Sequence, residues 1–384
     1  MVSEAVPAST PPRRGGLPWH EGQVQVLRAL HFAGRASRRE LATRSGLSPQ
    51  SLTRITQELL AAGHVEELER RRTGGMGQPA IELRIAPGRI LSVGLVLEYD
   101  RITCVLSDLV EGVVRREQAR GDFRTAEKTV RTAERLVSLA LEGVPDAATL
   151  LGLGVSQSGF FFDPAAQRIV ALGDVEGWAG MDLGARLSER FGLEVFIEND
   201  GRAAATGHMV HGVGTRFDDF FVVLMTYGIG GGGVADRRLI RGWSGNAGEM
   251  PRGEGMKASV SSLAEQMDLS YADEGFEQSA EKALDEDDPR LVEWLTVSAA
   301  KLEKVLVGIC AVLDPQAVIL AGRLPFRIRE ALAERIRLPG RSIGSISAPA
   351  PSIVVDPAAD CLETGASALP IARVFTEARR TAGA

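Results

Sequence analysis

A small winged helix-turn-helix ahead of a larger, two-lobed α/β body is the fold class this 384-residue chain predicts. Three observations carry it. Residues 20–87 hold three helix-sized apolar periodicities, two of them opened by capping signals, then two short alternating runs around a Gly- and Arg-rich turn. Residues 88–384 alternate apolar, strand-like runs with amphipathic stretches, in two similar blocks. Charge is divided between the two parts: up to position 89 there are 13 arginines against 8 acidic residues, so a chain of net charge −6 has a basic front on an acidic body.

Residues 1–19 are a Pro/Gly-rich arm expected to be disordered. Val24, Leu27 and Leu30 form the apolar stripe of a first helix from about Glu21 to Phe32. Ser37 and Glu40 have the spacing of a capping box, which starts a short helix through Arg44, and Gly46 ends it. Ser48-Pro49 starts the next helix, with Ser48 as N-cap, Pro49 in the first turn and Leu47 placed to staple onto Leu52. Leu52, Ile55, Leu59 and Leu60 share one face. Gln50, Ser51, Thr53, Arg54 and Gln57 share the other and, with Ser48 at the helix start, offer short polar groups to base edges and an arginine to guanine or phosphate. Residues 63–68 and 80–85 alternate as two strands of a wing. Its tip carries Arg70, Arg71, Arg72 and Gln78, suited to a phosphate backbone or a narrow minor groove. The implied partner is double-stranded DNA; a solvated basic face and a protein-binding winged helix are the alternatives.

In the body, residues 92–97, 103–108, 112–118 and 150–156 read as strands, with a helix over 126–142. A second block has a strand over 220–226, the glycine run 228–233, a helix over 289–312 and a buried strand over 317–320. Cys104, Cys310 and Cys361 lie far apart without a CxxC, so neither a disulfide framework nor a Cys-rich zinc site is written here. No apolar run reaches the ~18 residues of a membrane span, and no export segment is evident; a cytoplasmic protein with no membrane partner is expected.

The stretches 172–178, 191–205 (with Glu198-Asn199-Asp200), 227–232, 245–249 and 313–322 resemble, in order and spacing, the ROK family of repressors and sugar kinases. The front domain resembles the winged helix of that family's repressor branch, so the likeness spans about residues 20–375. It implies an actin-like, ribonuclease H-like fold with a sugar in the cleft between the lobes. In the kinases an aspartate of the Glu-Asn-Asp segment is the general base, which matches Asp200; Asp174, Asn199 and Glu249 match the neighbours that hydrogen-bond the sugar. Such groups suit a sugar because each accepts from or bridges adjacent hydroxyls. On local sequence alone, Asn199 or Asp200 could equally cap a helix starting at Gly201.

The chain departs from the kinases in two places. Where their first phosphate loop has a carboxylate and two glycines, it has Val96, Glu98 and Tyr99, whose charge and bulk oppose phosphate. The second loop has Tyr227 in place of the usual Thr, and the adenine-side Gly-Gly has become Ala321-Gly322-Arg323; Gly228–Gly233 is expected to be no more than a hairpin turn. Where the family continues into a zinc-binding His and cysteines, this chain has Met250-Pro251-Arg252 and no cysteine between Cys104 and Cys310, so zinc is expected absent. Arg252 would favour an acidic or phosphorylated sugar, or bridge Glu249; Glu265 is the nearest match to a later family glutamate. The expectation is a repressor of carbohydrate uptake or catabolism genes, not an enzyme, without ATP or zinc. A sugar or sugar derivative would act as effector, closing the lobes of a homo-oligomer (dimer or tetramer) and moving its DNA-reading heads. The alternatives are an active ATP-dependent sugar kinase with an appended DNA-binding domain, and a ligand-independent DNA-binding protein.

Overall fold

A computed structural model describes residues 18–68, 81–165, 167–171, 174–250, 257–271, 273, 275–340, 342–343 and 345–380, the last five without their side chains. The wing tip with Arg70, Arg71, Arg72 and Gln78, the segment with Arg252, and the arm before residue 18 lie outside the described residues.

The front domain runs α1 (Glu21–Ala33), β1 (Ala36–Ser37), α2 (Arg38–Ser45), α3 (Pro49–Ala61), β2 (Val65–Glu67) and β3 (Glu82–Ile85). Its helices start where the sequence signals them. The Ser37 hydroxyl accepts from the Glu40 N–H at 3.3 Å and the Glu40 carboxylate accepts from the Ser37 N–H at 2.8 Å, while Ser48 caps α3 ahead of Pro49. Gly46 closes α2 with a φ of 72°, a left-handed conformation that glycine adopts without penalty. Leu27, Leu30, Leu41, Leu52, Leu59 and Leu83 form the core. The wing sheet has a third strand that the sequence did not announce: β1 pairs with β3, which pairs with β2. Two residues are too few to leave a period-2 signal.

The first lobe has strands β4 (Ile90–Leu97), β5 (Arg101–Asp108), β6 (Gly112–Arg120) and, after α4 (Ala126–Leu141), β7 (Thr149–Gln157). A hairpin of β8 (Phe160–Asp163) and β9 (Arg168–Val170), then α5 (Val175–Ala179) and α6 (Leu183–Phe191), lead to β10 (Val195–Asn199). The sheet order is β10-β7-β4-β5-β6, with β7 parallel to β4 and β10. Next, α7 (Asp200–Val210) leads to the second lobe: β11 (Phe220–Met225), β12 (Ile229–Ala235), β13 (Arg238–Leu239), α8 (Val260–Met267), α9 (Phe276–Asp285), α10 (Pro289–Leu313), β14 (Ala317–Gly322) and α11 (Phe326–Ala333). A small hairpin, β15 (Ser342–Ile343) with β16 (Ile346–Ser347), precedes β17 (Ser352–Val355) and the terminal α12 (Cys361–Arg380). The second sheet is ordered β13-β12-β11-β14-β17.

Every residue of α7 from Gly201 to Val210 is buried, because the helix lies between the lobes and against α12. Small residues permit this: a Cβ on Gly207 would stand 2.8 Å from the Gly365 Cα of α12, and α12 in turn packs on β4, where a Cβ on Gly94 would stand 2.6 Å from the Ser367 nitrogen. The glycine run corrects the expectation of a mere hairpin turn. Only Thr226 to Gly228 form the turn, and Gly230 to Gly233 lie inside β12, paired with β11.

The winged helix shares its core with the body. His31 on α1 bonds the Val210 carbonyl at 2.8 Å, and its ring lies 5.0 Å from that of His211 and 5.5 Å from that of Phe375. Arg237 sits over the Phe32 ring at 5.0 Å, and His64 meets the Thr149 hydroxyl at 3.0 Å.

Candidate ligand site and nucleic-acid interface

Where β10 passes into α7, Asn199 and Asp200 stand at the end of a parallel strand and the start of a helix, a place where backbone N–H groups face a crevice. The crevice is a cleft of about 850 Å³ between the lobes, and Ser156, Asn199, Asp200, Gly230 and Glu249 line one part of it. Three of the expected sugar contacts, Asn199, Asp200 and Glu249, are therefore brought together. Asn199 is also a cap, its side chain accepting from the Gly201 N–H at 2.9 Å and donating to the Gly159 carbonyl at 2.9 Å. Asp200 accepts from the same N–H at 2.8 Å. Burial, followed by the negative charges of Glu249 and Glu98, pushes its carboxyl up to about 6 against the Gly201 hydrogen bond. A carboxyl near that value is poised to accept a hydroxyl proton or hydrogen bond.

Asp174 does not join them. Its carboxylate caps α5 through the Gly177 N–H at 3.1 Å and holds the Ala126 N–H at the start of α4 at 2.8 Å. Both oxygens are thus committed to backbone, which a sequence comparison of residue types cannot register. Glu265 is exposed on α8 and outside the cleft lining, which takes Tyr271 from that region instead.

Several supporting residues were not visible in the sequence. Arg202 is fully buried and donates to Glu198 at 2.8 Å and to the Ala247 carbonyl at 3.0 Å. Asn246 imitates a strand partner for Phe161, accepting from its N–H at 2.7 Å and donating to its carbonyl at 2.8 Å. Together they fix the loop that carries Glu249. The glycine strand serves the same end: a Cβ on Gly231 would lie 2.8 Å from the Gly248 carbonyl, and one on Gly201 would lie 2.6 Å from the Gly231 nitrogen. Ser156, fully buried in β7, has a hydroxyl without a partner among the described residues and lines the cleft, so it is available to a ligand.

The opposite part of the cleft joins the ends of β4 and β14. Glu98 and Arg323 pair across it at 2.9 Å, and Arg323 also meets the fully buried Glu363 at 3.0 Å. Tyr99, Tyr227 and Tyr271 form an edge-to-face chain there, with ring centroids 6.0 and 5.2 Å apart.

Residues 93–337 match the ROK family, and residues 16–75 match the MarR family. This chain belongs to the ROK family. Among ROK relatives, it is 25% identical over 331 residues to the DNA-binding transcriptional dual regulator NagC of Escherichia coli (78% of this chain, 79% of the relative). It is 28% identical over 230 residues to the xylose repressor of Bacillus subtilis (59% of each). Among solved structures, a ROK family transcriptional regulator described as a homologue of the E. coli MLC protein matches with a TM-score of 0.66 at 17% identity, over 93% of this chain and 97% of that one. A ROK family glucokinase from Streptomyces griseus matches with a TM-score of 0.54 at 20% identity, over 72% and 98%. At these identities the two structures show the fold alone, the regulator over nearly the whole chain and the glucokinase over 72% of it.

In this ROK protein the outward face of α3 carries Gln50, Thr53 and Arg54 exposed and Ser51 half-buried. Three hydroxyls predicted to meet DNA also organise the helix start: Ser48 bonds Ser51 at 3.0 Å and Thr53 bonds the Pro49 carbonyl at 2.8 Å. Arg54 is paired with Glu58 at 2.6 Å, so reaching a base means exchanging that partner. Thr56, buried beneath, accepts from Arg38 at 3.2 Å and locks α2 to α3.

Proposed function

We propose that this ROK protein is a sugar-responsive transcriptional repressor of carbohydrate uptake or catabolism genes. The winged helix binds a DNA operator through α3 and the wing arginines 70–72. The cleft binds a sugar or sugar derivative at Asn199, Asp200, Glu249 and Ser156. The observation that carries this is the pairing of a DNA-reading domain with a cleft that keeps Asp200 while Glu98, standing where the first phosphate loop of the kinases has a glycine, is ion-paired at 2.9 Å with Arg323 of the adenine-side segment. Phosphoryl transfer depends on positioning ATP and stabilising its charge; a carboxylate and a tyrosine at that place oppose both, so the protein is not a kinase and takes no ATP. No zinc is proposed, because no cysteine lies between Cys104 and Cys310. It acts as a homo-oligomer in the cytoplasm; no helix among the described residues is long and apolar enough to cross a membrane.

DNA binding is tested by fluorescence anisotropy with a duplex from upstream of the protein's own gene. Arg54→Ala should weaken binding by about 1–3 kcal/mol and relax sequence preference, as loss of a base-reading arginine does. Binding as tight as that of the parent protein would remove α3 from the interface.

A further inference from the structure

The cleft is larger than one sugar ring requires, and its second half is built from unusual materials. At about 850 Å³ it is near the upper end of small-molecule pockets. The residues around Asp200 occupy one side only. On the other side lie all three tyrosines of the chain, Tyr99, Tyr227 and Tyr271, in one contiguous edge-to-face series. Tyr227 is 49% exposed, with ring surface open to a ligand. Phe276, largely buried, also lines the cleft.

The charge of the cleft narrows the chemistry. Its described lining has five arginines against six carboxylates. Arg323 is already neutralised by Glu98 and Glu363, and Arg101 stands 3.1 Å from Asp100. A polyphosphate or sugar phosphate would enter a site with no surplus of positive charge. A neutral ring with apolar C–H or aromatic faces meets what is there, flat π surfaces that can be taken out of water by stacking.

We propose that this half of the cleft is a second subsite, and that the ligand is a neutral glycoside with two rings. The first ring sits at Asn199, Asp200 and Glu249; the second, a sugar or an aryl group, stacks on the tyrosines. The proposal rests on the reading of the Asp200 end as a sugar site and adds the size and polarity of the ligand. In place of a nucleotide, the second half of the cleft takes the rest of the effector.

The test is titration calorimetry of the full chain with glucose, xylose and N-acetylglucosamine, with maltose, cellobiose, xylobiose and chitobiose, and with the 4-nitrophenyl glycosides of the three monosaccharides. At least one two-ring glycoside should bind about tenfold or more tightly than its parent monosaccharide. Tyr227→Ala or Tyr271→Ala should abolish that advantage and leave monosaccharide affinity within about twofold, while Tyr271→Phe, which keeps the ring, retains it. Disaccharides and nitrophenyl glycosides are compared to separate a glycosyl from an aryl second ring. A monosaccharide that binds as tightly as every two-ring glycoside overturns the subsite and leaves the sugar reading standing. Displacement of the glycoside by a non-hydrolysable ATP analogue also overturns it. If no carbohydrate of either size binds, the sugar reading itself fails, and the subsite with it.

Discussion

Asp200 holds its position at a cost that its own titration reports. With its carboxyl pushed up to about 6 by burial and by Glu249 and Glu98, the charged form is disfavoured in the folded chain. The sign follows: below pH ~4 folded and unfolded chains both carry the proton and nothing is lost, and as pH rises through about 6 the native state loses stability that it does not regain above. Asp200→Asn should therefore stabilise the protein at pH 8 by about 1–3 kcal/mol in urea unfolding, with the gain shrinking to nothing near pH 4. A gain independent of pH would place its origin elsewhere. The same substitution should weaken ligand binding, since a strained, charged group kept in a cleft exchanges stability for function.

At the scale of elements, the glycine strand is the clearest test of why the chain folds as it does. A Cβ on Gly231 meets the Phe221 ring at 2.6 Å and the Gly248 carbonyl at 2.8 Å, whereas Gly228 has nothing within 4 Å. Gly231→Ala should cost about 1–3 kcal/mol by overpacking and loosen the Glu249 loop; Gly228→Ala should change stability by no more than about 0.5 kcal/mol. Thermal unfolding of both variants separates packing from a turn requirement, which would make Gly228 the more sensitive. The contrast also shows what the sequence could reveal. The caps at Ser37 and Ser48, the face of α3 and the long strands were legible because they are local patterns of spacing. The packing of Gly231 on Gly201, the pairing of β1 with β3, the hold of Asp174 on Ala126, the bond of Arg202 to Ala247 and that of Asn246 to Phe161 depend on partners tens of residues away, and a residue type alone does not say which partner it finds.

At the scale of the molecule, α7 links the two functions. Its first residues, Asp200 and Gly201, meet the cleft and the glycine strand; its end, Val210 with His211 beyond it, meets His31 of the winged helix. Both histidines are held neutral by burial, His211 down to about 3 and His31 below its usual value despite its hydrogen bond to Val210. Their folded values lie under the unfolded one of ~6.5, so the docking they support is complete above that pH and weakens as pH falls below it. Hydrogen exchange of α1 should accordingly be faster at pH 5 than at pH 7.5, after correction for intrinsic rates; equal protection would remove the histidines from the joint. On the function proposed, a ligand that draws the lobes together at Asp200 would move a helix whose far end meets the DNA-reading domain. The central claim is that Asp200 has been kept to sense and not to catalyse. The direct measurement is release of operator DNA from the full chain as the cognate sugar is titrated, for the parent protein and for Asp200→Ala. Loss of one charge-assisted hydrogen bond, about 1.5–3 kcal/mol, should shift the releasing concentration upward by roughly one to two orders of magnitude, with operator affinity in the absence of sugar unchanged. Equal sugar sensitivity in the two proteins would contradict it and leave Asp200 a helix-terminal residue only.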